Sequence, residues 1–162
     1  MSRVLTPVPL RPDNFLPFGD VIGTHGPSYA INYGATRKYG DLAAIRAASE
    51  GHAVVHLYRS TPPSYPFALR VMENHPLGSQ MFMPLSGRPY LVVVAPRGAF
   101  DPSTLQAFVA APDQGVNLAP GVWHHYSLAL GGVSDFLVVD RDGPGENLEE
   151  IMLDGSILLE AP

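Results

Sequence analysis

Cysteine is absent from the 162-residue chain, which excludes disulfide staples and every thiolate nucleophile or metal ligand. A reducing compartment suits such a chain, so cytoplasm is the expected location. Lysine is almost absent too: Lys38 stands alone among ten basic residues, against fifteen acidic ones, for a net charge of -5. Binding to a phosphate backbone rests on clustered Lys and Arg, so no nucleic-acid partner is expected. No apolar run approaches the roughly 18 residues of a membrane span, and prolines interrupt MSRVLTPVPLRPDNF where a secretion signal needs a continuous apolar stretch. No membrane partner is expected either. Charged residues make up only 15% of the chain and hydrophobic ones 46%, a balance that favours a packed core over disorder.

What the chain has in quantity is punctuation. Seventeen prolines and sixteen glycines are spread along it rather than pooled in a linker, and they separate many short elements within one domain spanning 1–162. Strand-length runs lie between them at 53–60, 67–75, 80–85, 90–96, 105–111, 122–130 and 135–140, several rich in β-branched residues. Arg88 to Pro96, a continuous apolar run after the turn signal Leu-Ser-Gly-Arg-Pro, is expected to be a central strand covered on both faces. The expectation is an all-β sandwich or barrel with at most one or two short helices. Residues 41–50 (DLAAIRAASE), with an Asp start and a Gly stop, are the expected helix. The stretch after Gly145 fits an edge strand or a helical turn equally well.

Side chains two apart in a strand share a face, so Glu73 and His75 project together and Asn74 points away. Pro76-Leu-Gly78 then turns the chain, and Gln80 shares a face with Phe82 and Pro84. If that face is interior, Gln80 meets His75 across the turn, and a histidine from Gly121-Val-Trp-His124-His125 can join them. Alternation sends His124 and His125 to opposite sides, so one of the two is expected in a pocket, His124 by its local pattern. Arg59 and Arg141 are candidates to grip an anionic substrate through the two-pronged guanidinium geometry, the alternative being ion pairs with neighbouring aspartates. Asn32, Arg37, Lys38, Tyr39 and Asp41 crowd a polar loop that either covers a pocket mouth or crosses the surface.

ENHPLGSQMFMPLSG (73–87) and PGVWHHYSLAL (120–130) resemble the two motifs of the cupin superfamily, jelly-roll β-barrels that usually hold a metal between two sheets. The usual pattern is His-x-His-x4-Glu followed by Gly-x-x-His; here Glu73, His75, Gln80 and His124 occupy the ligand positions. A Gln for a carboxylate and a carboxylate for an imidazole change which metal a pocket prefers, or whether it needs one. More closely, IN-x-G (31–34), Y-x-D-L (39–42), HPLGSQ-x-F-x-P, DPSTLQAF (101–108), QGVN (114–117), VWHH (122–125) and DFLVVDR (135–141) are similar to the ureidoglycolate lyase family over nearly the whole chain.

That resemblance implies cleavage of ureidoglycolate to glyoxylate and urea in allantoin breakdown, by a cytoplasmic homodimer with a divalent metal, nickel, as its cofactor. It implies Glu73, His75, Gln80 and His124 as both metal ligands and catalytic groups, in a pocket that works as an acid/base site with the metal bound or without it. Arg59, Asn32, Tyr39 and Arg141 are the expected contacts for the small carboxylate substrate. Two other readings compete: another cupin metalloenzyme, an isomerase or dioxygenase, which needs a firmly held metal, and a non-catalytic barrel that binds a small carboxylate.

Overall fold

The computed structural model describes residues 3–162, and they form an almost wholly β protein. One sheet has five strands in the order Gly19–Ile22, Gly115–Leu118, Gln80–Pro84, Ser134–Asp142 and His52–Ser60. The facing sheet has seven, running Glu149–Met152, Val71–Asn74, Trp123–His124, Tyr90–Ala95, Gln106–Ala110 and Val8–Pro9, with Leu128–Ala129 also paired to Tyr90–Ala95. Apart from Tyr90–Ala95 with Gln106–Ala110, neighbouring strands in the two sheets are not consecutive in the chain, which gives the jelly-roll character expected from the sequence.

Alternation builds the main core between these sheets. Phe82, Phe136, Val138, Val116 and Leu118 from the smaller sheet meet Tyr90, Val92, Val94 and Phe108 from the larger. Tyr90 and Phe136 lie edge to face with ring centroids 5.1 Å apart. The Tyr90 hydroxyl donates to the Gln114 carbonyl at 2.9 Å, and burial pushes its pKa up, so the ring is held as a neutral phenol. A second core lies on the other face of the larger sheet, where Leu91, Val93 and Ala95 pack with Leu69, Met72, Trp123 and Leu159 beneath a three-stranded sheet. Tyr90–Ala95 therefore sends successive side chains into two different cores, which is why its sequence is apolar without alternation.

The expected helix at 41–50 does not form. Its backbone groups have stronger partners than a helix would offer: Ala48 N–H donates to Leu77 O at 2.8 Å, and Arg46 O accepts from Ser79 N–H at 3.0 Å. Asp41, Ser49 and Glu50 take left-handed φ values of 55°, 53° and 62°, incompatible with a right-handed helix. The segment is a strap across the smaller sheet. Among the described residues the single α-helix is the one turn Pro12–Phe15, opened by proline, with Asn14 Oδ1 accepting from Arg11 N–H. The C-terminal stretch resolves into strands Glu149–Met152 and Ile157–Leu159. Two of the anticipated long strands are split: 122–130 is interrupted after His124, and 67–75 after Ala68.

Candidate active site

Strand register assembles the site. His124 lies directly opposite Glu73 on the neighbouring antiparallel strand, which brings their side chains together on the core-facing side. His75 is two residues beyond Glu73 and shares that side. The two segments are tied where Gly121, in a left-handed turn with φ 79°, donates its N–H to the His75 carbonyl at 2.9 Å. Glu73 Oε1 stands 3.6 Å from His124 Nε2, and the His75 and His124 rings are 5.1 Å apart. One ligand atom from each of Glu73, His75 and His124 lies within 4.8 Å of the other two.

Both imidazoles are held in a defined orientation. His75 Nδ1 meets the Asn147 carbonyl at 2.8 Å and His124 Nδ1 meets the Val122 carbonyl at 3.0 Å. A carbonyl only accepts, so each Nδ1 carries the proton and each Nε2 presents its lone pair. Those two Nε2 atoms are buried with no hydrogen-bond partner in the structure, a costly arrangement unless something occupies the space between them. Two free imidazole lone pairs beside a carboxylate fit a divalent transition metal. The Glu73 carboxyl sits below the ordinary carboxylate range, chiefly through its polar contact with His124, helped by the charges of His124, His75 and His125 and opposed by burial. At 3.6 Å that contact is longer than a hydrogen bond, so its pull is electrostatic and acts only on a ring that carries charge.

Gln80 belongs to the facing sheet. It is 4% exposed, donates Nε2 to Asp140 Oδ2 at 3.1 Å, and leaves its amide oxygen buried without a partner. Asp140 follows Phe136 and Val138 on the inner face, and both Asp140 and Glu73 help raise the Tyr58 pKa, after burial as the main cause.

The four expected substrate contacts are not brought to this cluster within the subunit. Arg59 points from the opposite face of its strand and pairs two-pronged with Asp135, at 2.8 and 3.0 Å. Arg141, 7% exposed, donates to the carbonyls of Ala48, Ser49, Gly143 and Pro144. Asn32 and Tyr39 lie on the exposed hairpin of Ser28–Ile31 with Thr36–Tyr39. His125 is buried as well as His124, but its ring packs edge to face on Phe67 with centroids 5.5 Å apart, and burial pushes its pKa down to about 4.

Asp140, Tyr58 and Asn147 were not anticipated. The alternation of Phe136, Val138 and Asp140 carried the signal for Asp140, masked by the adjacent Arg141 with which an ion pair looked natural. His56 and Tyr58 share a face by the same rule. Nothing local in the sequence marks Asn147 as the residue that orients His75, because the contact spans 72 positions.

A family model described as ureidoglycolate lyase matches residues 2–160. Ureidoglycolate lyase of Burkholderia mallei (strain NCTC 10229) is 52% identical over 159 residues, covering 97% of this chain and 94% of that protein. The protein of the same name from Rhizobium etli (strain CIAT 652) is 49% identical, covering 100% and 99%. Ureidoglycolate lyase 1 of Rhizobium meliloti is 44% identical, covering 100% and 96%. With two oriented imidazoles and a carboxylate converging where the cupin motifs meet, and with relatives matched end to end, the chain belongs to the ureidoglycolate lyase family.

Proposed function

We propose that the protein cleaves ureidoglycolate to glyoxylate and urea, with Glu73, His75 and His124 at the reacting carbon and Gln80 as a further contact. The observation that carries this is the pair of buried, unpartnered Nε2 lone pairs beside Glu73. Ureidoglycolate bears hydroxyl and ureido nitrogen on one carbon, so breaking the C–N bond requires a base for the hydroxyl proton and an acid for the departing nitrogen. His124 Nε2 accepts the hydroxyl proton, and the Glu73 carboxylate stabilises the imidazolium that results. That imidazolium then gives its proton to the departing urea nitrogen, with the neutral His75 ring beside it as a second contact. The amide oxygen of Gln80 accepts from the ureido N–H groups. Glu73, His75 and His124 would hold a divalent cation, nickel by family resemblance, whose charge would lower the pKa of the hydroxyl. With the imidazole lone pairs so engaged, Asp140 is the carboxylate left on the inner face to take the proton.

Glyoxylate release from ureidoglycolate, measured on purified, chelator-stripped and nickel-restored protein, tests substrate and cofactor together. Activity lost on stripping and regained with nickel is expected. Full activity after stripping refutes the metal role, and no glyoxylate in any state refutes the lyase reading. His124→Ala should lower turnover by about 100-fold or more; near-normal turnover removes His124 from the chemistry.

A homodimer in the cytoplasm completes the proposal. Absence of cysteine supports the compartment. For the dimer, Val55, Leu57 and Leu85 leave an apolar strip on the outer face of the smaller sheet, at 66%, 59% and 55% exposure. Among the described residues no helix is long and apolar enough to cross a membrane.

A further inference from the structure

The hairpin Ser28–Tyr39 has no buried residue and packs substantially only on itself and its Asn32–Gly34 tip. A two-stranded hairpin alone is marginal in water. This one also exposes Tyr29 and Tyr33, at 54% and 112%, and holds Asn32 and Tyr33 at left-handed φ of 52° and 57°. Tyrosine in that conformation persists where something outside the hairpin holds it.

The pocket has the complementary deficiency. Glu73, Asp140 and Glu150, which lies opposite Glu73 in register, put three carboxylates toward the inner side. Among the described residues no Lys or Arg side chain bonds to Glu73, His75, His124, Gln80 or Asp140. Arg59 and Arg141, the nearest basic residues in the smaller sheet, are engaged on its other face. The cluster is therefore not bonded to any cationic side chain of its own subunit among the described residues. Tyr58, which is acted on by the charges of Glu73 and Asp140, lies on His52–Ser60, the terminal strand of its sheet, with one backbone edge unpaired among the described residues.

We propose that the Ser28–Tyr39 hairpin of one copy closes over the pocket of a second copy, where Arg37 binds the substrate carboxylate. This rests on ureidoglycolate being the substrate. The hairpin's own pocket is on the wrong side: it springs from Gly19–Ile22, the far edge of the sheet, and continues into the strap held by Ser79 and Arg141. Those two residues alternate with Gln80 and Asp140, so the strap lies on the face opposite the site. Within the hairpin, pairing puts Arg37 with Ser28, Ala30 and Tyr39 on one face, and Lys38 with Tyr29 and Ile31 on the other. Arg37 offers a two-pronged grip, and Tyr39 beside it a hydroxyl.

Arg37→Ala should raise KM for ureidoglycolate by about tenfold or more with a smaller change in kcat, Arg37→Lys should recover part of that loss, and Lys38→Ala should change neither. Mixing Arg37→Ala chains with His124→Ala chains is decisive. A hairpin acting across the dimer rebuilds one intact site in each hybrid, returning about a quarter of wild-type activity at equal mixing. Activity no greater than the sum of the two separate variants overturns the proposal. Sedimentation gives a reading that needs no substrate: replacing 29–38 with a short Gly-Ser turn should leave monomers at concentrations where wild type is dimeric, and equal dimerisation of both, or none in either, overturns it. If wild-type dimers release no glyoxylate, the lyase reading fails and Arg37's role with it, whereas a failed mixing experiment with active wild type refutes the hairpin alone.

Discussion

Arg141→Ala separates a substrate contact from a structural clamp. In the structure the guanidinium donates to four backbone carbonyls: Ala48 at 2.8 Å, Ser49 at 3.1 Å, Pro144 at 2.6 Å and Gly143 at 3.4 Å. A hydrogen bond to a charged group contributes about 1.5–3 kcal/mol. Ala48, Ser49 and Pro144 are exposed residues, so water can reach much of what the mutation vacates, and the sum must be discounted. We expect a net loss of about 3 kcal/mol, which for a chain of this length lowers Tm by about 6–12 °C. Arg141→Lys keeps the charge but cannot fork to several carbonyls and should recover less than half of the loss. Thermal and urea unfolding give the stability, and the glyoxylate assay gives KM. Undiminished stability with a KM raised tenfold or more would refute the clamp and return Arg141 to the candidate substrate contacts.

Phe136 is fully buried between the sheets against Tyr90 and Phe82, so Phe136→Ala should cost about 3–5 kcal/mol in urea unfolding; a loss under about 1 kcal/mol would mean the two sheets do not pack as described. Arg59→Ala removes an exposed pair with Asp135, and neither stability nor kcat/KM should change measurably; a large rise in KM would place Arg59 at the substrate. His125 has its pKa pushed down to about 4 by burial. Between its ordinary value and about 4 the unfolded chain binds a proton that the folded chain does not, so stability falls as pH drops through that window. His125→Gln should flatten this slope in unfolding measured from pH 7 to 4, and an unchanged slope would assign it to other groups.

Alternation made much of the site legible. Glu73 with His75, Gln80 with Phe82, and the double-sided burial of 90–95 all follow from a period of two, because each depends only on neighbours within one strand. The same rule puts Tyr58 and Arg59, neighbours in one strand, on opposite faces, Tyr58 against Phe82 and Arg59 against Asp135. At 41–50 local preference failed: Ala-rich composition favours helix, but partners at Leu77, Ser79 and Arg141 take the backbone groups a helix would use. Arg141 itself was read through its nearest aspartates, while its carbonyl partners at 48 and 49 lie more than 90 positions away.

By itself, then, the sequence determined the class of fold, the family, and which side chains could share a face. Those properties are carried by composition, short-range periodicity and motif spacing. Only the tertiary structure decided that His124 faces Glu73, that Asn147 and Val122 fix the two imidazoles with their lone pairs inward, and that the expected arginines turn away from the pocket. Each of those depends on strand register and on which carbonyl a donor finds across the fold, and one residue of slip would send every side chain of a strand to the other face.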